Sequence, residues 1–308
     1  MSRVFRTAGA SAFLLASFSA LMLAAIFSPA AHAADAGRAE CRSMPSKILG
    51  HPVAYCVILP LGYDTDTATR YPVLYFLHGL GGNEQVLLES GGMNEIEDLR
   101  AAGKIGEFLV VAPNGGRSFF INSRDGHVRY EDFFIQEFIP FIESHYRIDA
   151  VRKDRGITGV SMGGYGALRF GLKHPELFGS VSAHSAALID KLPRFEGSED
   201  QTSGVARILG GSFGNPVDPK YWERESPFTI VKTGPKPANL PIYFDCGTDD
   251  DFGFNVGAQK FHDLLVSRGI PNEFHLYPGG HDMDYFADHL PASLEFHSHA
   301  FGVAAASK

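Results

Sequence analysis

Ser161 sits in the pentad Gly159-Val-Ser-Met-Gly163, with the apolar run Gly156-Ile-Thr158 before it and the helix-forming Tyr165-Gly-Ala-Leu168 after it. A serine hydroxyl is a weak nucleophile until a neighbouring base takes its proton and an acid orients that base. A Gly-x-Ser-x-Gly pentad between a strand and a helix supplies the first requirement. It throws the serine onto a sharp turn, with the hydroxyl proud of the sheet. A second pentad, Gly210-Gly-Ser212-Phe-Gly214, follows a helix-like segment and runs into Asn215-Pro216. No strand feeds it, so the context favours Ser161.

The base and acid should arrive later in the chain, at the carboxyl ends of further strands. The apolar run Leu240–Cys246 ends in Gly247-Thr-Asp-Asp-Asp251, and Glu273–Tyr277 ends in Pro278-Gly-Gly-His281. Three adjacent aspartates leave the acid open on spacing alone. The Gly-x-x-Asp turn favours Asp250, with Asp249 and Asp251 capping the next helix or facing water. His281 has two glycines before it, which permit an irregular loop. His275 falls within a strand, and His289, His297 and His299 fall on the terminal helix, away from Ser161. Acyl chemistry also needs backbone donors aimed at the oxyanion. The expected pair is the amide of Met162 and the amide of Leu80, in the loop His78-Gly-Leu-Gly-Gly82. His78 itself reads as a hydrogen-bonded strut of that loop.

These segments, with Tyr71-Pro-Val-Leu-Tyr-Phe-Leu-His-Gly79, Val110-Val-Ala-Pro-Asn114 and Gly279-Gly-His-Asp282, are spread in order along the chain. Together they resemble the esterase family of α/β-hydrolases. That family holds esterase D-like S-formylglutathione hydrolases, feruloyl and tributyrin esterases, and mycolyltransferases of the antigen 85 type. The resemblance implies Ser161 as nucleophile, Asp250 as acid and His281 as base, with the Leu80 and Met162 amides as the oxyanion hole. Met283 departs from the pattern, because many feruloyl-type relatives carry tryptophan after the His-Asp pair.

The elements that must position these residues alternate between short apolar runs and helical periodicities. Runs at 71–77, 108–112, 179–183 and 241–246 alternate with helical segments at 95–102, 130–146, 162–173, 256–268 and 284–299. This alternation predicts an α/β fold with a mostly parallel central sheet and helices on both faces, and the resemblance implies that it is the α/β-hydrolase fold. Pro140 should kink the 130–146 helix. Residues 186–239 break the rhythm around Tyr221-Trp222. They read either as a lid or substrate-binding insertion, or as a surface excursion with Trp222 packed on the body.

The chain has 308 residues and a net charge of −8. Without a basic run, this argues against nucleic acid or an anionic membrane as partner. Arg3 and Arg6, the apolar stretch Phe13–Phe27 and Ala31-His-Ala33 together read as a signal peptide over residues 1–33. Export to the periplasm or outside the cell is expected, with 34–308 as one catalytic domain and no membrane attachment after cleavage. Cys41 and Cys56 flank an expected hairpin turning near Leu49–Pro52, and an oxidising compartment would let them bridge. Cys246 is then a free, buried thiol. No metal or organic cofactor is implied, since neither a zinc-binding His-Glu-x-x-His nor a phosphate-binding glycine fingerprint is present. Asp249–Asp251 with His281 lack a spacing that fixes metal geometry.

The activity expected is hydrolysis of a small-molecule or carbohydrate carboxylic ester through an acyl-enzyme, with short-chain acyl, acetyl or feruloyl esters as substrates. The alternatives are acyl transfer of the mycolyltransferase type, thioester hydrolysis of the S-formylglutathione type, and a non-catalytic binding module on the same fold.

Overall fold

Successive side chains along β3 (Val73–Leu77) enter two different cores. Val73, Tyr75 and Leu77 face one, while Leu74 and Phe76 face the other, the period-two alternation of a strand covered on both sides. The computed structural model describes residues 37–192 and 204–303. The expected signal peptide lies outside the described residues.

The eight strands are β1 (Ala39–Pro45), β2 (Pro52–Ile58), β3, β4 (Leu109–Pro113), β5 (Arg155–Gly159), β6 (Ser180–His184), β7 (Ile242–Gly247) and β8 (Glu273–Tyr277). They form one sheet in the order β1-β2-β4-β3-β5-β6-β7-β8. From β4 to β8 every pairing is parallel, and the β1–β2 hairpin adds an antiparallel edge. This is the mostly parallel sheet expected from the alternation of elements. Cys41 and Cys56 lie opposite each other in that hairpin and are joined by a disulfide, as anticipated.

The chain runs from β3 to β4 on one side, then returns past β3 to β5 on the other. Such a reversal opens a crevice at the carboxyl ends of the two strands, where ligands of open α/β sheets gather. The loops after β3 and β5 carry Leu80 and Ser161, so the topology alone brings the two together.

Helices α1 (Val86–Glu89) and α2 (Gly92–Ala101) follow β3. After β4, α3 (Tyr130–Phe133) passes through a π-helical turn, Phe134–Phe138, into α4 (Ile139–His145). Where the sequence predicts a kink at Pro140, the structure has this wider turn immediately before it. Proline has no N–H to return to the preceding turn, and a local change of helix type absorbs the loss. Helix α5 (Met162–Lys173) follows β5 and is buried along nearly its whole length. Helix α10 (Met283–Phe301) covers the opposite face of the sheet with Leu290, Leu294 and Phe301, preceded in the chain by α9 (Phe254–Ser267) between β7 and β8.

The described part of 186–239 folds into α6 (Gly204–Phe213), α7 (Pro219–Glu225) and α8 (Pro227–Thr233). Trp222 packs into the main core. Beneath it, the fully buried Arg169 guanidinium on α5 joins Glu225 of α7 to Glu131 of α3. Tyr165 adds a bond from its hydroxyl to the Glu225 carbonyl at 2.7 Å. Burial alone would raise both glutamates. The contacts of His174 and Arg169 with Glu131, and of Arg169 and Lys173 with Glu225, outweigh it and hold both carboxyls below their ordinary range.

Candidate active site

Ser161 caps the N-terminus of α5 with φ 54° and ψ −115°, a backbone conformation that costs an L-residue strain. Backbone hydrogen bonds hold it there. Its amide donates to the His184 carbonyl (2.9 Å), its carbonyl accepts from the Ala187 amide (3.0 Å), and the Gly163 amide donates to the Val160 carbonyl (2.7 Å). The flanking glycines are required by close approach. A Cβ on Gly159 would stand 2.5 Å from the Gly163 carbonyl oxygen, and one on Gly163 would overlap the Leu77 carbonyl.

The hydroxyl thus presented lies 2.9 Å from His281 Nε2, and His281 Nδ1 lies 2.7 Å from Asp250 Oδ2. The structure brings together the three residues singled out in the sequence. Asp250 Oδ1 accepts from the amides of Phe252 (2.9 Å) and Phe254 (3.2 Å), so all of its acceptor capacity points inward. Burial would raise the Asp250 carboxyl, but the bond and charge of His281 and these two amides leave it below its ordinary value. It is therefore ionised at neutral pH and fixes the histidine tautomer, with Nδ1–H donating to Asp250 and Nε2 free to accept the Ser161 proton. Asp249 and Asp251 are exposed, as expected for the aspartates outside the site.

Met162 is the first residue of α5, so its amide has no partner one turn back. The loop carrying Leu80 lies against the elbow: a Cβ on Gly79 would meet the Ser161 Cβ at 3.6 Å. His78 is a strut of this loop. It is buried, its Nδ1–H donates to the Gly79 carbonyl (2.7 Å), and its Nε2 accepts from the Gly115 amide (2.8 Å). Burial depresses its pKa, which keeps the ring in the neutral form that this pair of bonds requires. Glu84 is a second brace, accepting from the Asn114 amide group at 2.6 Å.

Two features were not foreseen from the sequence. The Cys246 thiol is pushed up to about 12 by burial and donates to Asp250 Oδ2 at 3.5 Å, so it packs beneath the acid as a neutral thiol. The second is another Ser-His-Asp chain. Ser293 Oγ lies 2.8 Å from His184 Nε2, and His184 Nδ1 lies 2.8 Å from Asp245 Oδ2. Asp245 Oδ1 also accepts from the Tyr285 hydroxyl at 2.8 Å. The side chains of His184 and Asp245 have no exposure, so no substrate reaches this set. It ties β6, β7 and α10 together, and these elements carry the Ser161 amide acceptor, the Asp250 turn and the residues just after His281. The signal in the sequence was an aspartate within the otherwise apolar Ile242-Tyr-Phe-Asp-Cys246. Ser212, the serine of the second pentad, is buried on α6 and donates to the Arg117 carbonyl at 3.1 Å. Among the described residues no group of three or more His, Cys, Asp or Glu side chains is placed to hold a metal ion.

Comparison with known proteins identifies the family. The chain is 33% identical over 245 residues to an esterase of Mycobacterium tuberculosis, covering 73% of this chain and 51% of the relative. It therefore spans about half the length of that relative. It is 29% identical over 262 residues to an acetyl esterase of Caldicellulosiruptor saccharolyticus, covering 82% and 95%. A solved ferulic acid esterase superposes with a TM-score of 0.72 at 30% identity, covering 86% of this chain and 99% of the other. Residues 46–297 match the family described as "Putative esterase". The chain belongs to that esterase family and has its α/β-hydrolase fold.

Proposed function

We propose that the protein is an exported serine carboxylesterase whose catalytic domain is residues 34–308. The observation that carries this reading is the unbroken chain from Ser161 Oγ through His281 to Asp250, with the serine on a strained elbow at the sheet's topological switch. Ser161 attacks the ester carbonyl carbon while His281 Nε2 takes its proton. The oxyanion of the tetrahedral intermediate lies between the amides of Leu80 and Met162. Collapse breaks the carbon–alkoxide bond, and His281 returns the proton to the departing alcohol. Water then attacks the acyl-enzyme with His281 again as base, releasing the acid and regenerating Ser161.

The substrates proposed are short-chain acyl, acetyl or feruloyl esters of small molecules or carbohydrates. The relatives named acetyl esterase and ferulic acid esterase support this class. The leader-like pattern over residues 1–33 and the disulfide both support export, since disulfides persist outside reducing compartments. The test is Ser161→Ala. Turnover of an acetyl ester should fall by roughly six orders of magnitude, as removal of a triad nucleophile does in other serine hydrolases. Hydrolysis at the original rate by pure Ser161→Ala protein would overturn the reading. A new ester formed in the presence of a sugar alcohol would identify transfer in place of hydrolysis.

A further inference from the structure

The turn after β7 is wound around the carboxylate of Asp250, which binds the amides of Phe252 and Phe254. Both rings emerge beside the imidazole that Asp250 holds. They stack on each other at 5.5 Å and 18°, and each meets the His281 ring edge-on, Phe252 at 4.8 Å and 76°, Phe254 at 5.4 Å and 71°. A third ring, Phe286, touches His281 at 5.3 Å but is buried and belongs to the core. Phe252 is different. It is 64% exposed, the most exposed of the large apolar side chains among the described residues.

Shielding His281 from water accounts for the inward side of this pair. The outward face of Phe252 contacts nothing among the described residues, and covering that apolar surface would be favourable. The chemistry says what would cover it. The proton that His281 takes from Ser161 goes to the leaving alkoxide, so the alkoxide oxygen must come within hydrogen-bonding reach of Nε2. An exposed ring beside the imidazole is therefore placed to meet the alcohol half of the ester.

We propose that Phe252 and Phe254 form a binding shelf for the alcohol half, and that the shelf selects alcohols presenting a flat apolar face. This rests on the serine esterase reading above. Two sources supply such a face: an aryl or benzyl group, and the C–H face of a sugar ring. Aromatic contacts of this kind have a preferred geometry, and they add to affinity beyond the area they bury.

The test compares kcat/KM of the mature protein and Phe252→Ala on methyl acetate, benzyl acetate and an O-acetylated methyl xyloside, with methyl phenylacetate as the acyl-side control. Methanol and benzyl alcohol are leaving groups of similar acidity, so their ratio reports binding. The benzyl-over-methyl preference should fall by about tenfold in Phe252→Ala, mainly through KM, which is the upper end of what one aromatic contact supplies. The preference for methyl phenylacetate over methyl acetate should move less than twofold. A matching fall for the xyloside identifies the sugar face as the shelf's occupant, and a fall for the benzyl ester alone identifies the aryl group. An unmoved benzyl preference, or an equal fall in the acyl-side control, overturns the shelf. Failure of the unaltered protein to hydrolyse methyl acetate and to react with a fluorophosphonate would overturn the esterase reading itself, a result distinct from a shelf that does not select.

Discussion

Asp245 offers a graded perturbation whose consequences follow from counting protons. Its two oxygens accept from His184 Nδ1 and from the Tyr285 hydroxyl, with no solvent to replace either donor. Asp245→Ala orphans both donors and opens a small void. Each lost bond to a carboxylate is worth ~2 kcal/mol, so the cost should be ~4 kcal/mol. Asp245→Asn behaves differently. The amide oxygen can still accept from Tyr285, while the NH2 group faces His184. The imidazole can answer by changing tautomer, with Nδ1 accepting and Nε2–H donating to Ser293 Oγ, whose own hydroxyl donates to the Leu290 carbonyl. Only the second amide N–H is left without an acceptor, against two orphaned donors in the alanine variant, and the cost should be ~1 kcal/mol. At 2–4 °C per kcal/mol for a domain of this size, the melting temperature should fall by about 10 °C for alanine and about 3 °C for asparagine. Turnover should follow, because the His184 carbonyl holds the Ser161 amide and Tyr285 lies in the first turn of α10, just after His281. Still-folded Asp245→Ala protein should lose roughly tenfold to a hundredfold in kcat, the cost of misplacing reacting groups by up to an ångström. Calorimetry and steady-state kinetics on both variants check this. Equal destabilisation by alanine and asparagine would refute the tautomer argument, and an unchanged kcat in Asp245→Ala would refute the link to the elbow.

The carboxyls of Glu131, Glu225 and Asp250 are all held below their ordinary values in the folded chain. A depressed folded pKa contributes stability that is present above the unfolded value and lost as pH falls toward the folded one. The melting temperature should therefore hold near neutrality and decline as pH drops below about 4.5, the unperturbed glutamate value. A flat profile down to pH 3 would contradict the charged network around Arg169. Replacing Cys41 and Cys56 by serine reopens a loop of 15 residues and should cost about 3 kcal/mol in a urea titration. Because the bridge lies on the far edge of the sheet from β5, kcat should change less than twofold. A large loss of turnover would show that the hairpin supports the site directly.

Most of the candidate site was legible because each residue sits at a punctuation mark. Ser161 lies between two glycines required by contacts of 2.5 Å or closer, Asp250 follows a strand-ending glycine, and His281 follows a pair of them. The Cys41–Cys56 pairing was legible for the same local reason, since a hairpin of this length leaves few registers. The second chain, His184, Asp245, Tyr285 and Ser293, was not. Its members lie up to 109 positions apart, and only the packing of α10 on β6 and β7 makes them neighbours. Helices α7 and α8 were masked by their prolines. Pro219 and Pro227 occupy first helical positions, where proline is tolerated, so they mark starts where they read as breaks. Cys246 read as an isolated thiol because its partner, four residues on, approaches it only once the turn has closed.

The paired Ser-His-Asp chains bear on how such molecules are surveyed. A probe that recognises only interatomic spacing would flag this polypeptide twice, and one of the two flags would point at mortar. Reactive reagents make the distinction that rulers miss: a phosphonylating compound should decorate a single serine, leaving Ser293 untouched behind its helix. Turning the hidden constellation into a working one would call for removing a roof and for adding the oxyanion donors that a serine inside a helix lacks.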